Sequence, residues 1–235
     1  MPATILAVDT ATERCSVALA RGERLDELAE AVGQKHSERV LPMVRALLKE
    51  HRLRLDECDA IAFGAGPGAF TGLRIACGIA QGLAYGVGKR VIPVGNLQAL
   101  AFAASRKAPT VRRILAAIDA RMQEIYWAVY SIDAGTATEV AAPSLASAGD
   151  LPELSRRHAV DLVAGNALHA FAELAAELGC ATAPEACASA ASIATLALAD
   201  FAAGRTLPPA QAAPIYVRDR VALTIEERRA AAARA

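Results

Sequence analysis

The stretch from Gly64 to Gly88 constrains the fold of this chain most strongly, because a glycine-rich turn runs directly into a helix of small residues. An apolar run over residues 60–63 precedes it and predicts a buried strand. Gly64, Gly66 and Gly68 allow a tight turn, or a close approach of backbone amides to a partner. The first N–H groups of the following helix would point at the same place, where they attract anions. The stretch therefore predicts a strand, a glycine turn and a helix, in that order.

The helical part of this stretch carries small residues at a spacing of four. Two rows run along it: Gly78, Gly82 and Gly86 in one, and Ala76, Ala80 and Ala84 in the other. Residues at this spacing share a face. A glycine inside a helix costs about 1 kcal/mol relative to alanine, so we expect another backbone to approach closely. That backbone belongs either to this chain or to a second subunit, and we expect Ile75, Ile79 and Leu83 to face the sheet.

Composition limits the classes of function. The 235 residues suffice for two modest domains. Lys+Arg and Asp+Glu both number 25, and this zero net charge argues against a strong sequence-independent grip on nucleic acid. Hydrophobic residues make up 54% and aromatic residues only 4%, which predicts a core packed with alanine. The five cysteines are odd in number and form no CxxC pair, which favours buried reduced thiols over disulfides or a zinc site.

The N-terminus and the helical stretch also bear on location. Met1 to Thr4 runs directly into a predicted strand with no basic and apolar leader, so we expect the cytoplasm. Arg74, Gln81 and Lys89 leave the apolar run short of the ~20 residues that a membrane span needs. At the other end, residues 224–235 predict a polar helix rich in Ala, Arg and Glu.

A second candidate site lies at the end of the first predicted strand. The apolar run over residues 5–8 ends at Asp9 and Thr10, before a hairpin. In phosphate-handling folds a carboxylate at this position can hold a metal ion or orient a phosphate. The alternative is a turn-forming aspartate that bonds the local backbone. The predicted nucleotide or phosphate contacts are Asp9, Thr10, Gly66, Gly68 and Thr71.

The first clear helix opens near His36, with Ser37 as its predicted cap. Its apolar residues follow the spacing of a buried stripe: Val40, Leu41, Val44, Leu47 and Leu48. His36 lies before the predicted cap, where a histidine either bonds the local backbone or acts as a metal ligand. A further helix is predicted after residue 95, with Asn96 as its cap.

The second half of the chain repeats the order of the first. A buried strand over residues 114–118 ends at Asp119, and a short turn leads into a β-rich partner strand over 124–130. This repetition predicts an internal duplication. The basic region 105–113 separates the halves, so we predict an N-terminal subdomain of residues 1–105 and a C-terminal subdomain of residues 106–235. Helices are predicted over residues 167–178 and 192–203.

Common catalytic motifs are absent from the sequence. It has no nucleophile elbow, no HExxH and no GxxxxGK[ST] loop, and its four histidines form no close pair. Acid–base chemistry would rest on Asp9 or Asp119, and neither has an obvious second carboxylate nearby in sequence. The sequence therefore favours a protein built for contact over one built for catalysis.

Five segments, in order, resemble the bacterial TsaB (YeaZ) family: ILAVDTATERCSVAL, HSERVLPMV, GPGAFTGLRIACGIAQGLAYG, IDARMQEIYWAVY and PIYVRDRVA. They span nearly the whole chain, and the glycine-loop segment is the most specific. The resemblance implies an α/β, actin/Hsp70-like ATPase fold of the ribonuclease H-like kind, with two related subdomains. It also implies a role in making N6-threonylcarbamoyladenosine on tRNA.

Within that family the resemblance implies a noncatalytic subunit that pairs with the paralogue TsaD and activates it. TsaD carries the metal and transfers the threonylcarbamoyl group; this sequence lacks the paired metal-binding histidines of TsaD. The implied assembly also contains the ATPase TsaE and contacts tRNA indirectly. Without its partners, this chain would form a homodimer. No cofactor of its own is implied, with ATP or ADP bound only within the complex.

The resemblance places the pairing surface on the two N-terminal helices. The implied partner-binding residues are Val40, Val44, Leu47, Arg74, Gly78, Gly82 and Tyr85. Two other functions compete with this one. The first is an independent ATPase or peptidase of the same superfamily, which would use the Asp9 and Gly66 region. The second is a tRNA-binding module that would use the basic residues of the linker, Arg106, Lys107, Arg112 and Arg113.

Overall fold

The first half of the chain forms one five-stranded sheet. The computed structural model describes residues 2–133 and 136–218, so the helix predicted over 224–235 lies outside the described residues. The strand order is β3-β2-β1-β4-β5, with β1 antiparallel to β2 and parallel to β4. The elements are β1 (Thr4–Asp9), β2 (Arg14–Arg21), β3 (Arg24–Ala31), α1 (His36–Glu50), β4 (Ala60–Gly66), α2 (Phe70–Gly86), β5 (Arg90–Gly95) and α3 (Asn96–Lys107).

The second half repeats this topology. Its strands lie in the order β8-β7-β6-β9-β10. β6 takes the place of β1, β7 and β8 correspond to β2 and β3, and β9 and β10 correspond to β4 and β5. The elements are β6 (Arg113–Arg121), β7 (Glu124–Asp133), β8 (Thr136–Ser147), α4 (Leu151–Arg157), β9 (Leu162–Ala164), α5 (Ala167–Ala170), β10 (Ala181–Ala183) and α6 (Ala190–Ala202). The predicted internal duplication is confirmed at the level of strand order.

The two sheets share a central layer of helices. α1 and α2 pack on the outer face of the first sheet, and α4 and α5 lie on the outer side of the second. α3 and α6 lie between the sheets, where they form one continuous hydrophobic core with both. α6 belongs to the second half of the chain but packs on β1 and β2, while α3 contacts β6, β7 and β8. The predicted boundary after residue 105 falls inside α3, and each half packs its last helix against the other half.

The stripe predicted for the first helix is confirmed at four of its five positions. Val40, Val44, Leu47 and Leu48 are buried in α1, whereas Leu41 is half-buried and Met43 is buried instead. The buried residues pack with the first sheet because residues three and four apart share one side of a helix. The predicted cap is wrong, since the helix begins before the expected serine and has no side-chain cap bond.

The helix predicted over residues 167–178 is wrong in length. α5 stops at Ala170, because Phe171 leaves the helical region with φ −133° and ψ 57°. Its ring is 6% exposed and packs into the core on the outer face of the second sheet. The chain continues as a 3₁₀ helix over Ala172–Glu177. Burial of one aromatic side chain thus overrides local helix propensity.

The α6 prediction is confirmed, with a start at Ala190 after a capping box formed by Ser189 and Ser192. In the described part of the chain, every helix is too short or too polar to cross a membrane.

Candidate functional site

A cleft of about 670 Å³ lies between the two halves of the molecule. Its first wall contains the β1–β2 turn, the start of α1 and the loop from β4 into α2. Its second wall contains the end of β6 and the β6–β7 turn, together with Asn166 and the segment before α6. Ligand sites in folds of this kind occur where the carboxyl ends of strands from two units meet. The cleft is therefore the first place to look for the predicted nucleotide contacts.

Asp9 lies at the end of β1 but is buried beneath the cleft floor. It is 1% exposed, and its Oδ1 accepts hydrogen bonds from Asn96 Nδ2 at 3.0 Å and from the Ala11 amide at 3.3 Å. The Asn96 side chain also accepts a bond from the Gly66 amide at 2.7 Å. Burial raises the pKa of the Asp9 carboxyl above its ordinary value, although these hydrogen bonds oppose the shift. Asp9 thus ties β1, β4 and α3 together.

Thr10 is also an internal residue. It is fully buried, and its hydroxyl donates to the Gly72 carbonyl at 2.7 Å. A Cβ at Gly72 would lie 1.9 Å from the Thr10 carbonyl oxygen, and one at Gly68 would lie 2.9 Å from Ala11. The turn after β1 therefore packs directly on the first turn of α2. No gap for a phosphate remains between these two segments.

The predicted nucleotide contacts lie in different environments. Asp9, Thr10 and Gly66 are buried by the chain itself and do not face the cleft. Gly68 does line the cleft, whereas Thr71 is exposed outside its lining. Inward packing of the turn after β1 gives Asp9 and Thr10 hydrogen-bond partners within the chain, and a nucleotide contact at these residues stays a prediction.

Asn96 is a structural residue that the sequence prediction placed in the wrong role. It was expected to cap α3, but Gly95 occupies the cap position and Asn96 begins the helix. Its amide instead bridges Asp9 and Gly66, and it also lines the cleft. A polar residue directly after a strand that ends in glycine was the available signal, but its partners are more than 25 residues away in sequence.

Asp119, the counterpart of Asp9 in the second half, has a different environment. It lines the cleft, and its carboxylate accepts a bond from the Arg121 amide at 2.7 Å and pairs with the Arg121 guanidinium at 3.1 Å. The Asp119 amide donates to Asn166 Oδ1 at 3.0 Å. Neither aspartate is paired with another carboxylate, and within residues 2–133 and 136–218 no group of His, Cys, Asp and Glu could hold a metal ion.

His36 and Cys187 both line the cleft, and they are the residue types that a cysteine peptidase would use. His36 bonds the Thr12 carbonyl through Nε2 at 2.8 Å, so this nitrogen donates and serves the local backbone. Burial raises the pKa of the Cys187 thiol. A raised pKa keeps the thiol mostly protonated at neutral pH, so its reaction with electrophiles is slow. The pair therefore lacks the properties of an activated nucleophile and its base.

The outer side of α2 presents a surface that we call the glycine face. It consists of the exposed residues Arg74, Gly78, Gly82, Tyr85 and Gly86. A Cβ at any of the three glycines would meet nothing within 4 Å, and Tyr85 is 81% exposed.

The opposite row of α2 faces the sheet. Ala76, Ala80 and Ala84 are all 0% exposed. The prediction that Ile75, Ile79 and Leu83 face the sheet is wrong, because the alanine row takes that position. The three larger residues are half-buried instead and flank the glycine face.

The predicted partner contacts divide into two groups. Arg74, Gly78, Gly82 and Tyr85 belong to the glycine face and are accessible. Val40, Val44 and Leu47 are 0%, 3% and 1% exposed and pack into the core beneath α1. Their apolar stripe is used by the first sheet, and a partner contact at these three residues stays a prediction.

Comparison with known proteins gives the family. The model of the TsaD family, described as tRNA N6-adenosine threonylcarbamoyltransferase, matches residues 28–223. TsaB of Escherichia coli is 38% identical over 225 residues, which cover 93% of this chain and 96% of that protein. TsaB of Haemophilus influenzae is 50% identical, but over only 53% of this chain and 52% of that protein.

A solved structure is similar over nearly the whole fold. It is a Pseudomonas aeruginosa protein described as similar to peptidase YEAZ; it is 37% identical with a TM-score of 0.82, and the match covers 92% of this chain and 100% of that one. A second structure, YeaZ from the same organism, has a TM-score of 0.80 at 38% identity, with 91% of this chain and 99% of that one covered. The duplicated sheets, the cleft between them and these matches agree: this chain belongs to the TsaB (YeaZ) family and has its actin/Hsp70-like α/β fold of two related subdomains.

Proposed function

We propose that this chain is a noncatalytic subunit in the formation of N6-threonylcarbamoyladenosine on tRNA, and that it pairs with and activates a TsaD-like paralogue through the glycine face. One observation carries this proposal: Gly78, Gly82 and Gly86 meet nothing within the chain, although each weakens the helix. Small residues in register let two helix backbones approach closely. The half-buried Ile75 and Leu83 beside them supply apolar area for such a contact.

The comparisons support the pathway. Relatives from E. coli and H. influenzae are named tRNA threonylcarbamoyladenosine biosynthesis protein TsaB. The matching family model describes the transferase itself. A TsaE-like ATPase would join this pair, tRNA would be contacted mainly through the assembly, and the pair would act in the cytoplasm.

The chemistry of the cleft supports an accessory role. Asp9 is buried, Asp119 is paired with Arg121, and burial raises the pKa of the Cys187 thiol. None of these groups is arranged as an acid–base pair or an activated nucleophile. ATP or ADP would accordingly bind only within the complex, where a partner can supply the phosphate contacts that the buried Thr10 does not offer.

The test is a titration with the TsaD-like paralogue from the same source. Gly82→Leu places a large side chain on the glycine face, so we expect at least about a tenfold loss of affinity, which corresponds to about 1.4 kcal/mol. The matched control is Gly149→Leu, since Gly149 is exposed in the second half and its nearest contact for a Cβ is Ser147 Oγ at 3.8 Å. Equal affinities of both variants would contradict the proposal.

An activity assay on tRNA completes the test. The transferase system with and without this chain should differ in the yield of modified tRNA, and Gly82→Leu should behave like the omission. Isothermal titration of the isolated chain with ATP should show no tight binding. Tight binding with turnover would favour the independent ATPase instead. The molar mass of the isolated chain in solution shows whether the glycine face also forms a homodimer.

A further inference from the structure

The segment Ile215–Arg218, which we call the latch, crosses the mouth of the cleft from one half of the molecule to the other. All its residues line the cleft. Pro208, Pro209 and Pro214 precede it in the sequence. The structure adds that its two ends are anchored on different sheets.

The first anchor lies on β4 and α2. The Ile215 amide donates to the Ala65 carbonyl at 2.7 Å. A Cβ at Gly66 would lie only 2.6 Å from the Ile215 carbonyl oxygen. The Tyr216 ring packs on Phe70 with centroids 5.8 Å apart. Only a glycine at position 66 leaves room for the latch this close to β4.

The second anchor lies on the β6–β7 turn. Arg218 donates to the Glu124 carboxylate and to the Ala120 carbonyl at 3.1 Å, and its side chain is 13% exposed. The turn itself is strained, because Arg121, Met122 and Gln123 have φ values of 64°, 57° and 60°. Such conformations persist only where surrounding contacts hold them. Arg218 supplies some of these contacts from the latch, beside the bond from the Arg121 amide to Asp119.

One residue joins the latch to the glycine face. Arg74 is exposed on α2, where its guanidinium lies 3.6 Å above the Phe70 ring centroid and its Nε donates to the Tyr216 hydroxyl at 3.1 Å. Arg74 therefore contacts the first anchor directly. A partner that engages Arg74 on the glycine face would compete with Tyr216 for it.

We propose that Ile215–Arg218 is a reversible latch that closes the cleft between the subdomains, and that Arg74 couples its opening to occupation of the glycine face. The anchors are few and partly exposed, so opening is a local event that leaves the two cores intact. The latch itself does not depend on the proposed pairing with a TsaD-like protein. The coupling through Arg74 rests on that proposed function.

Cys187 provides a probe of opening, because it lines the cleft and is half-buried. We would measure its rate of alkylation by N-ethylmaleimide in the full native chain, with the modified peptide identified by mass spectrometry. Arg218→Met removes the charged bonds of the second anchor while keeping an apolar stem, and we expect alkylation about tenfold faster. Tyr216→Phe, which removes only the bond from Arg74, should give a smaller increase.

Two controls separate latch opening from general loosening. Arg205→Met breaks an ion pair with Asp200 that lies outside the cleft, and it should leave the rate unchanged. Cys180 is half-buried outside the cleft and serves as a reference within each molecule. The proposed latch would be overturned by a parallel rise in the alkylation rate of Cys180, or by an unchanged alkylation rate of Cys187 in Arg218→Met. Hydrogen exchange at Ile215 should accelerate together with alkylation.

The coupling is tested by adding the TsaD-like paralogue to the parent chain. We expect Cys187 alkylation to accelerate when the complex forms, and Arg74→Met to mimic this effect without the partner. A complex that forms with no change at Cys187 would overturn the coupling alone. Failure to form a complex would instead contradict the proposed function and leave the latch result intact.

Discussion

The two halves of the glycine-rich stretch use the same residue type for opposite reasons. In the N-terminal half, from β4 into the first turn of α2, a Cβ at Gly64 would lie 2.2 Å from Asp9 Oδ1, and one at Gly72 would lie 1.9 Å from the Thr10 carbonyl oxygen. In the C-terminal half, along the rest of α2, a Cβ at Gly78 or Gly82 would meet nothing within 4 Å. The N-terminal glycines are therefore required by contacts inside the chain. The helical glycines Gly78, Gly82 and Gly86 have no such internal requirement.

This difference separates folding from association. A glycine that makes room for a buried neighbour stabilises the fold, since any larger residue would push that neighbour away. A glycine on an exposed helix side reduces stability by about 1 kcal/mol relative to alanine and gains nothing within the monomer. A regular row of them is consistent with selection for something outside the chain. The proposed pairing surface follows from this contrast.

The largest effect is expected at Gly72. Gly72→Ala would force its Cβ against the backbone of Thr10 and Ala11, a turn that cannot move without disturbing β1. We expect a loss of about 3 kcal/mol in the free energy of unfolding, measured by urea denaturation. The same substitution at Gly86, in open space, is the control. Equal midpoints for both variants would break the comparison.

A second effect concerns pairing. The triple variant Gly78→Ala, Gly82→Ala and Gly86→Ala adds three methyl groups to the glycine face. If two backbones meet there, we expect affinity for the TsaD-like paralogue to fall about tenfold, or about 1.4 kcal/mol. Calorimetric titration against the parent chain measures this. An unchanged affinity would mean that the row is not the contact.

A third effect has the opposite sign to the first. Gly82→Ala alone should raise the free energy of unfolding by about 1 kcal/mol, because it improves helix propensity with nothing to clash against. Thermal unfolding followed by circular dichroism measures the gain. Destabilisation at this position would show that the helical glycines also serve the fold, and the contrast between the halves would disappear.

The smallest effect concerns Asp9, the group that excludes a side chain at Gly64. Its pKa is raised in the folded chain by burial, so its favourable contribution to stability is present below its ordinary pKa of 3.8 and is lost as the pH rises through the folded-state pKa. Asp9→Asn keeps an acceptor for Asn96 and Ala11 but removes the charge. The free energy of unfolding, measured by urea denaturation from pH 4 to pH 7, should therefore fall less steeply with rising pH in this variant than in the parent chain. A steeper fall than in the parent chain would contradict the assignment.

Local patterns predicted much of this architecture. The apolar runs before Asp9 and Asp119 predicted the two equivalent strands, and the strand order confirms the duplication. The stripe through Val40 and Leu47 predicted the buried side of α1, and both residues pack in the core. Each of these features depends on residues within one or two elements.

The parts that were missed depend on distant neighbours. Asn96 was expected to be a cap, yet it bonds Asp9 across 87 positions. α6 packs on the first sheet and α3 contacts the second, so each joins segments far apart in the chain. The latch at Ile215–Arg218 does the same. Periodicity shows which residues of a helix share a side, but it does not show which side another element will cover.

The sequence by itself determined the order of strands and helices, the repeated halves and the presence of a small-residue row on α2, because these depend on spacing and on local backbone freedom. Only the tertiary structure decided that the alanine row faces the sheet while the glycine row faces outward. It also decided that Asp9 is buried and that Ile215–Arg218 line the cleft. These outcomes depend on long-range packing, in which alanines let α2 lie close to the sheet and leave the glycines exposed.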